Sequence, residues 1–157
     1  MKKYILTVFT VLWMIMIFLF SNQEANASSN VSNSFIDNTV VKIYKVFDKD
    51  LSVEEENNIK EFLFVPIRKT AHFSVYFILG ILVLFTLREY GVKDKVWYYA
   101  ILICFLYAVS DEIHQLFVAG RSGEVLDVLL DTCGSSIAVF ILKYILEKKK
   151  FKVINES

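Results

Sequence analysis

The amino-acid sequence predicts an all-α fold: a polytopic membrane helical bundle of four transmembrane helices with an amphipathic helical outer loop. Three observations carry this expectation. Mean hydropathy is +0.48 with 55% apolar side chains, too apolar for an ordinary soluble domain of 157 residues. Four apolar runs approach the roughly 20 residues that carry a helix across a hydrocarbon core about 30 Å thick. Finally, four crossings gather most of the lysines and arginines beside the run ends on one side of the bilayer.

The elements follow in order within a single domain, 1–157. The first span is "YILTVFTVLWMIMIFLF" (4–20). "MKK", this apolar core and "ANA-S" also fit a signal peptide cut after Ala27, but an apolar run of 17 exceeds the usual 7 to 15 or so and favours a retained helix. The outer loop, 21–69, follows. In its part 21–65, eight acids stand against four lysines. Ile36, Val40, Ile43, Tyr44, Phe47 and Leu51 share one helical face there. "SVEE" then reads as a capping box at Ser52 and Glu55, opening a helix expected to end before Pro66. Two amphipathic helices lying on the outer membrane surface would explain the pattern, and a small packed extracellular subdomain would do so as well.

The second span is 70–87 and the fourth is 125–143. The third starts at "VWYYAILICFLYAV", whose 14 uncharged residues rise only about 21 Å, so it must continue through "SDEIHQ" to 116. Lys2, Lys3, Arg88, Lys93, Lys95, Lys143 and the basic tail 147–157 would then share the cytoplasmic side, with both termini in the cytoplasm of a bacterial-type cell. Cys104 and Cys133 fall inside apolar runs and read as buried small hydrophobes. With 17 basic and 17 acidic side chains, nothing suggests a nucleic-acid partner.

The embedded polar residues collect at the opposite, outer ends of the spans. Lys69 and His72 open span two, Asp111, Glu112, His114 and Gln115 close span three, and Arg121, Asp127 and Asp131 open span four. An Asp or Lys at the centre of a lone helix costs about 2.5–3.5 kcal/mol on insertion scales, so these groups should turn inward and meet. Spacing agrees: Lys69, His72, Tyr76 and Gly80 share a face, as do Asp111, His114, Gln115 and Val118, and Asp127, Asp131, Gly134 and Ala138. Glu112 lies about 100° from Asp111 and could face a neighbouring helix or snorkel outward. The bland readings are snorkelling for Arg68, Lys69 and Arg121, helix-gluing ion pairs for the two aspartates, and hydrogen-bonded helix contacts for the histidines. Helix packing alone does not need embedded acids, and intramembrane ionisable groups are functional candidates by default. Metal-ligand spacings such as "HExxH" and paired "CxxC" are missing, as is a "GxSxG" elbow, so no metal and no cofactor is expected.

At "RKTAHFSVYFILG", "SDEIHQLFVAGR" and "DVLLDTCG" the sequence resembles the VanZ-like family, and "FSNQ" resembles the Ser-x-Gln that closes the family's first helix. The resemblance covers nearly the whole chain apart from 24–64 and the tail. It implies an integral membrane protein, and the family's namesake is associated with low-level resistance to the glycopeptide teicoplanin. Carried over by position, the family's polar residues are Lys69, His72, Asp111, Glu112, His114, Gln115, Arg121, Asp127 and Asp131.

The leading expectation is an envelope protein that binds an amphiphilic, anionic, lipid-linked or glycolipid ligand through those nine residues in an outward-opening pocket. One alternative is a membrane-embedded hydrolase or transferase, with His72, Asp111, Glu112, His114 and Asp131 as candidates for acid–base or metal chemistry. A small proton-coupled transporter protonated at Asp131 is another, and it would require a homo-oligomer. Partners are thus a membrane lipid or lipid-linked envelope precursor, with self-association left open.

Overall fold

The computed structural model describes residues 1–22, 34–43, 52–120 and 123–155. Among these, every regular element is helical: α1 (Lys2–Ser21), a π-helical segment (Ile36–Val41), α2 (Val53–Glu89), α3 (Val96–Gln115) and α4 (Val125–Asn155). α1, α2, α3 and the Val125–Lys148 part of α4 are long and apolar enough to cross a membrane. Only 17% to 33% of each crossing window is buried inside the bundle. Lipid must therefore cover the rest, including the exposed Phe9, Leu12, Leu106 and Phe140.

α2 is the centre of the bundle, touching α1, α3, α4 and the π-helical segment. It packs on α4 through backbone rather than through large side chains. A Cβ on Gly80 would lie 2.7 Å from the carbonyl oxygen of Ser135, and one on Gly134 would lie 2.6 Å from that of Phe73. Glycine at both points lets the two helices run side by side, the small-residue packing on which helix association in lipid depends. Successive partners Lys69–Asp127, His72–Asp131 and Gly80–Ser135 fix α2 and α4 as parallel. Leu79, Val83, Cys104, Ala108 and Val139 fill the apolar core below.

α1 is bolted into this bundle by polar bonds, two of them onto helix backbone. Trp13 Nε1 donates to the carbonyl of Val75 (3.0 Å), the hydroxyl of Tyr107 donates to that of Met14 (2.6 Å), and the Thr10 and Thr86 hydroxyls share a bond of 2.8 Å. At the opposite end of α2, Gly91 at φ 82° and Lys95 at φ 53° take the left-handed conformations that turn the chain into α3.

The segment from the end of α1 into α2 meets one expectation and departs from two others. The capping box forms: Ser52 donates from its backbone N–H and hydroxyl to Glu55, and its hydroxyl accepts from the Glu55 N–H. Those bonds hold the Glu55 carboxyl below the usual carboxylate range. The helix does not end before Pro66, however. It continues through it as one helix of 37 residues, about 55 Å long and far more than a bilayer core requires. Proline removes one backbone bond, to the carbonyl of Phe62, which sits on an outward face where Phe62 itself is 78% exposed. Thr70 donates to the Pro66 carbonyl at 2.8 Å and stitches the next turn. The two surface-lying helices are therefore not both separate elements.

The apolar face read from Ile36 onward is also rephased. Over Ile36–Val41 the winding is wider than α, so Ile36 and Val41 are buried and Ile43 is 53% exposed. Tyr44, Phe47 and Leu51 lie outside the described residues. Lastly, Cys104 is buried, but Cys133 is exposed on the outward side of α4, between the inward Asp131 and Ser135.

Lys60 of α2 clasps the π-helical segment, reaching Asp37 at 2.7 Å and Glu56 at 3.0 Å. Asp37 first and Glu56 second push the lysine above its ordinary range. For a raised base, the contribution to folding is complete below the unfolded lysine value of about 10.4 and fades as pH climbs through the folded one. Lys60→Ala should speed backbone amide exchange across Ile36–Val41 by about two- to fivefold at neutral pH, the scale of an exposed ion pair. The same loosening should appear in the unaltered chain above about pH 10.5. Unchanged exchange in the variant would mean that the segment is held by Ile36 and Val41 alone.

Candidate functional site

Polar side chains converge where α1 and α3 end and α4 begins, hereafter the polar end. α2 passes through it and supplies two successive turns of one face. His72 looks to α4, with Nδ1 4.0 Å from Asp131 Oδ2. Four residues on, Tyr76 looks to α3 and donates to Asp111 Oδ2 at 3.3 Å. A further turn toward the rim, Lys69 donates to Asp127 Oδ1 at 2.8 Å and lies 3.8 Å from Glu124. Lys69, His72 and Tyr76 thus meet the carboxylates of α3 and α4 from one stripe, as helical spacing predicts.

Four acids at this end differ in how far their oxygens are satisfied. Asp127 is an ion pair with Lys69. Glu112, which could have pointed outward, is only 6% exposed: its Oε2 accepts from the backbone N–H of Glu124 at 2.9 Å and its Oε1 from Gln115 Nε2 at 3.2 Å. It therefore caps the start of α4, where a carboxylate also complements the positive end of the helix. Gly123 makes room for this, since a Cβ there would sit 3.1 Å from the carbonyl oxygen of Glu112 and 2.9 Å from Leu116.

Asp111, 3% exposed, takes every bond on one oxygen: Ser21 Oγ at 2.8 Å, Tyr76 at 3.3 Å and Gln115 Nε2 at 3.4 Å all donate to Oδ2. Its Oδ1 is buried with no hydrogen-bond partner among the described residues. Asp131 is the extreme case, 0% exposed with neither Oδ1 nor Oδ2 hydrogen-bonded among the described residues. His72 Nδ1 lies 4.0 Å from Asp131 Oδ2, and His72 is itself only partly buried.

His114 stacks on Phe18 of α1, ring centroids 4.3 Å apart, with a buried Nε2 that is likewise unpartnered among the described residues. Arg121 lies outside the described residues. Eight of the nine candidate residues are therefore gathered at one end of the bundle. Among the described residues, no three His, Cys, Asp or Glu side chains converge as metal ligands.

A family model described as VanZ/LLP1 matches residues 6–147. The chain belongs to the VanZ/LLP1 family. With four membrane-crossing helices, this VanZ/LLP1 member is an integral membrane protein. Comparison with curated proteins and with solved structures gives no match.

Sequence reasoning missed two contributors from α1 to the polar end, Ser21 and Phe18. Ser21 carried a signal, as the residue that ends the first apolar run within "FSNQ", but a lone serine at a helix end predicts no partner 90 residues away. Tyr76 was placed on the correct stripe without a role. Replacing Ser21 by alanine would leave Asp111 with two longer bonds in place of three. A lost hydrogen bond to a buried charged group costs about 1.5–3 kcal/mol, so Ser21→Ala should lower the midpoint of thermal unfolding in detergent by several degrees. An unshifted midpoint would show that the Ser21–Asp111 bond contributes nothing to the fold.

Proposed function

We propose that this VanZ/LLP1 member binds the headgroup of a lipid-linked or glycolipid envelope component at the polar end of its bundle. The observation that carries the reading is Asp131: a carboxylate shut inside a membrane bundle with both oxygens lacking hydrogen-bond donors among the described residues. Leaving a buried acceptor unsatisfied costs about 1–3 kcal/mol, more if it is charged, and a group held in that state is suited to a ligand that brings the donors. Lys69, which an anionic headgroup would need, is already engaged by Asp127 and Glu124. The geometry accordingly favours a ligand rich in donors over an anionic one. By the family's resemblance to its namesake, occupying such a headgroup would alter what a lipoglycopeptide such as teicoplanin meets at the cell surface.

Native mass spectrometry of gently extracted full-length chain tests this. A lipid or lipid-linked species should remain bound, and Asp131→Asn, with its unfolding midpoint checked, should reduce occupancy by about tenfold, the equivalent of one lost ligand hydrogen bond of roughly 1.4 kcal/mol. A lipid-free protein, or an identical bound set in the variant, would sink the reading.

The polar end opens to the outside of the cell in this reading, because Lys2, Lys3, Arg88, Lys93 and Lys95 all flank the other end. Membrane-impermeant thiol reagents should then label single cysteines introduced at Gly120 and Val125, but not at Lys93, in intact cells carrying the chain with both native cysteines replaced. The reverse pattern would invert the topology.

A second reading rests on the His72–Asp131 contact, an imidazole–carboxylate pair of the kind that performs general acid–base work. In that case purified chain should turn over lipid-linked precursors and His72→Ala should abolish the turnover; no turnover across such precursors would leave only binding.

A further inference from the structure

We propose that the group received by Asp131 and Asp111 is a primary ammonium, carried on the headgroup of the lipid or lipid-linked ligand. This deepens the binding reading above and rests on it. The argument begins with an inventory of donors and acceptors. Three buried carboxylate oxygens, Asp131 Oδ1, Asp131 Oδ2 and Asp111 Oδ1, have no hydrogen-bond partner among the described residues. With both carboxylates ionised these oxygens accept only, so the complementary group is one that donates only, and a primary ammonium offers three donors and no acceptor.

The charge inventory points the same way. Among the described residues, five acids, Asp111, Glu112, Glu124, Asp127 and Asp131, share the polar end with Lys69, which is held by Asp127 and Glu124, and with the imidazoles of His114 and of His72, the latter 4.0 Å from Asp131. Hydroxyl and amide donors from Ser21, Tyr76 and Gln115 solvate Asp111 on one oxygen without neutralising it. A buried carboxylate in a bundle surrounded by lipid is stabilised far more by an opposite charge with hydrogen bonds than by neutral donors alone.

α2 organises the two acceptors for a single guest. His72 and Tyr76, one turn apart on one face, touch Asp131 and Asp111 respectively, so carboxylates from α4 and α3 are presented on adjacent turns of the same stripe. His72 is partly exposed and Lys69 lies one turn nearer the rim, which makes this stripe the approach to Asp131 from outside the bundle. An ammonium on a membrane-anchored headgroup would have to follow that stripe inward, because Asp131 itself is 0% exposed.

Binding of short-chain probes to the full-length wild-type chain, followed by native mass spectrometry, decides the matter. Dioctanoyl phosphatidylethanolamine should bind about tenfold more tightly than the phosphatidylcholine analogue, which keeps the charge and loses every N–H donor. An alkyl 2-aminoglucoside should likewise exceed the alkyl glucoside, and whichever amine probe binds more tightly tells whether a phospholipid or an amino sugar is the source. Asp131→Asn should bring each pair to within about twofold. Equal binding of the ethanolamine and choline lipids, or a preference for phosphatidylglycerol, overturns the ammonium assignment while leaving headgroup binding intact. Failure of every probe to bind overturns both. Because the paired probes are compared on the unaltered chain, the result holds even if the asparagine variant does not fold.

Discussion

The close approach of α2 and α4 is the constraint on which the polar end depends. At Gly80 and Gly134 the two backbones meet without an intervening side chain, and the helices are parallel. Only at that separation does Asp131 come within 4.0 Å of His72, and Asp127 within 2.8 Å of Lys69. The apolar core beneath could be built at many interhelical distances; the pairing of short aspartate side chains with the α2 stripe could not. Glycine here is a positional device for chemistry several residues away, in an environment where apolar side chains give helices no preference for each other over lipid.

Around that axis the carboxylates are graded from fully to barely satisfied. Asp127 has a lysine at the rim and Glu112 a helix start. Asp111 has three neutral donors on a single oxygen, and Asp131, the most deeply placed, has none among the described residues. A purely structural network would put its best-paired charges deepest, since desolvation is worst there. The gradient runs the other way, and this inversion supports the binding proposal more than the number of acids does.

Much of this was legible in the sequence because membrane energetics acts on patterns that a sequence displays openly. Run lengths marked the four crossing helices, and 100° spacing placed Lys69, His72 and Tyr76 on one stripe and Asp127, Asp131, Gly134 and Ala138 on another. The misses share a cause: each turned on a contact or a winding that no local pattern encodes. Pro66 reads as a stop, yet one lost backbone bond on an exposed face is cheap beside the continuation of a 37-residue helix. The wider turn at Ile36–Val41 rotated Ile43 outward, which no periodicity of 3.6 anticipates. Cys133 sits in an apolar run like Cys104, but lipid and protein core are equally apolar, so hydropathy alone could not tell which it faced. Ser21 met Asp111 only once α1 was packed on α3.

Chain order adds a consequence to the bond between Ser21 and Asp111. Ser21, Lys69, His72 and Tyr76 all precede the acids they meet, Asp111, Asp127 and Asp131. During synthesis, which proceeds from the N-terminus, α1 and α2 can be resident in the bilayer before α3 and α4 emerge. Each aspartate then enters a membrane already stocked with its hydroxyl, ammonium or imidazole neighbour, which offsets an insertion cost of about 2.5–3.5 kcal/mol that a solitary helix would bear in full. Read from the ribosome's side, the first two helices are a template that makes the acidic ones admissible.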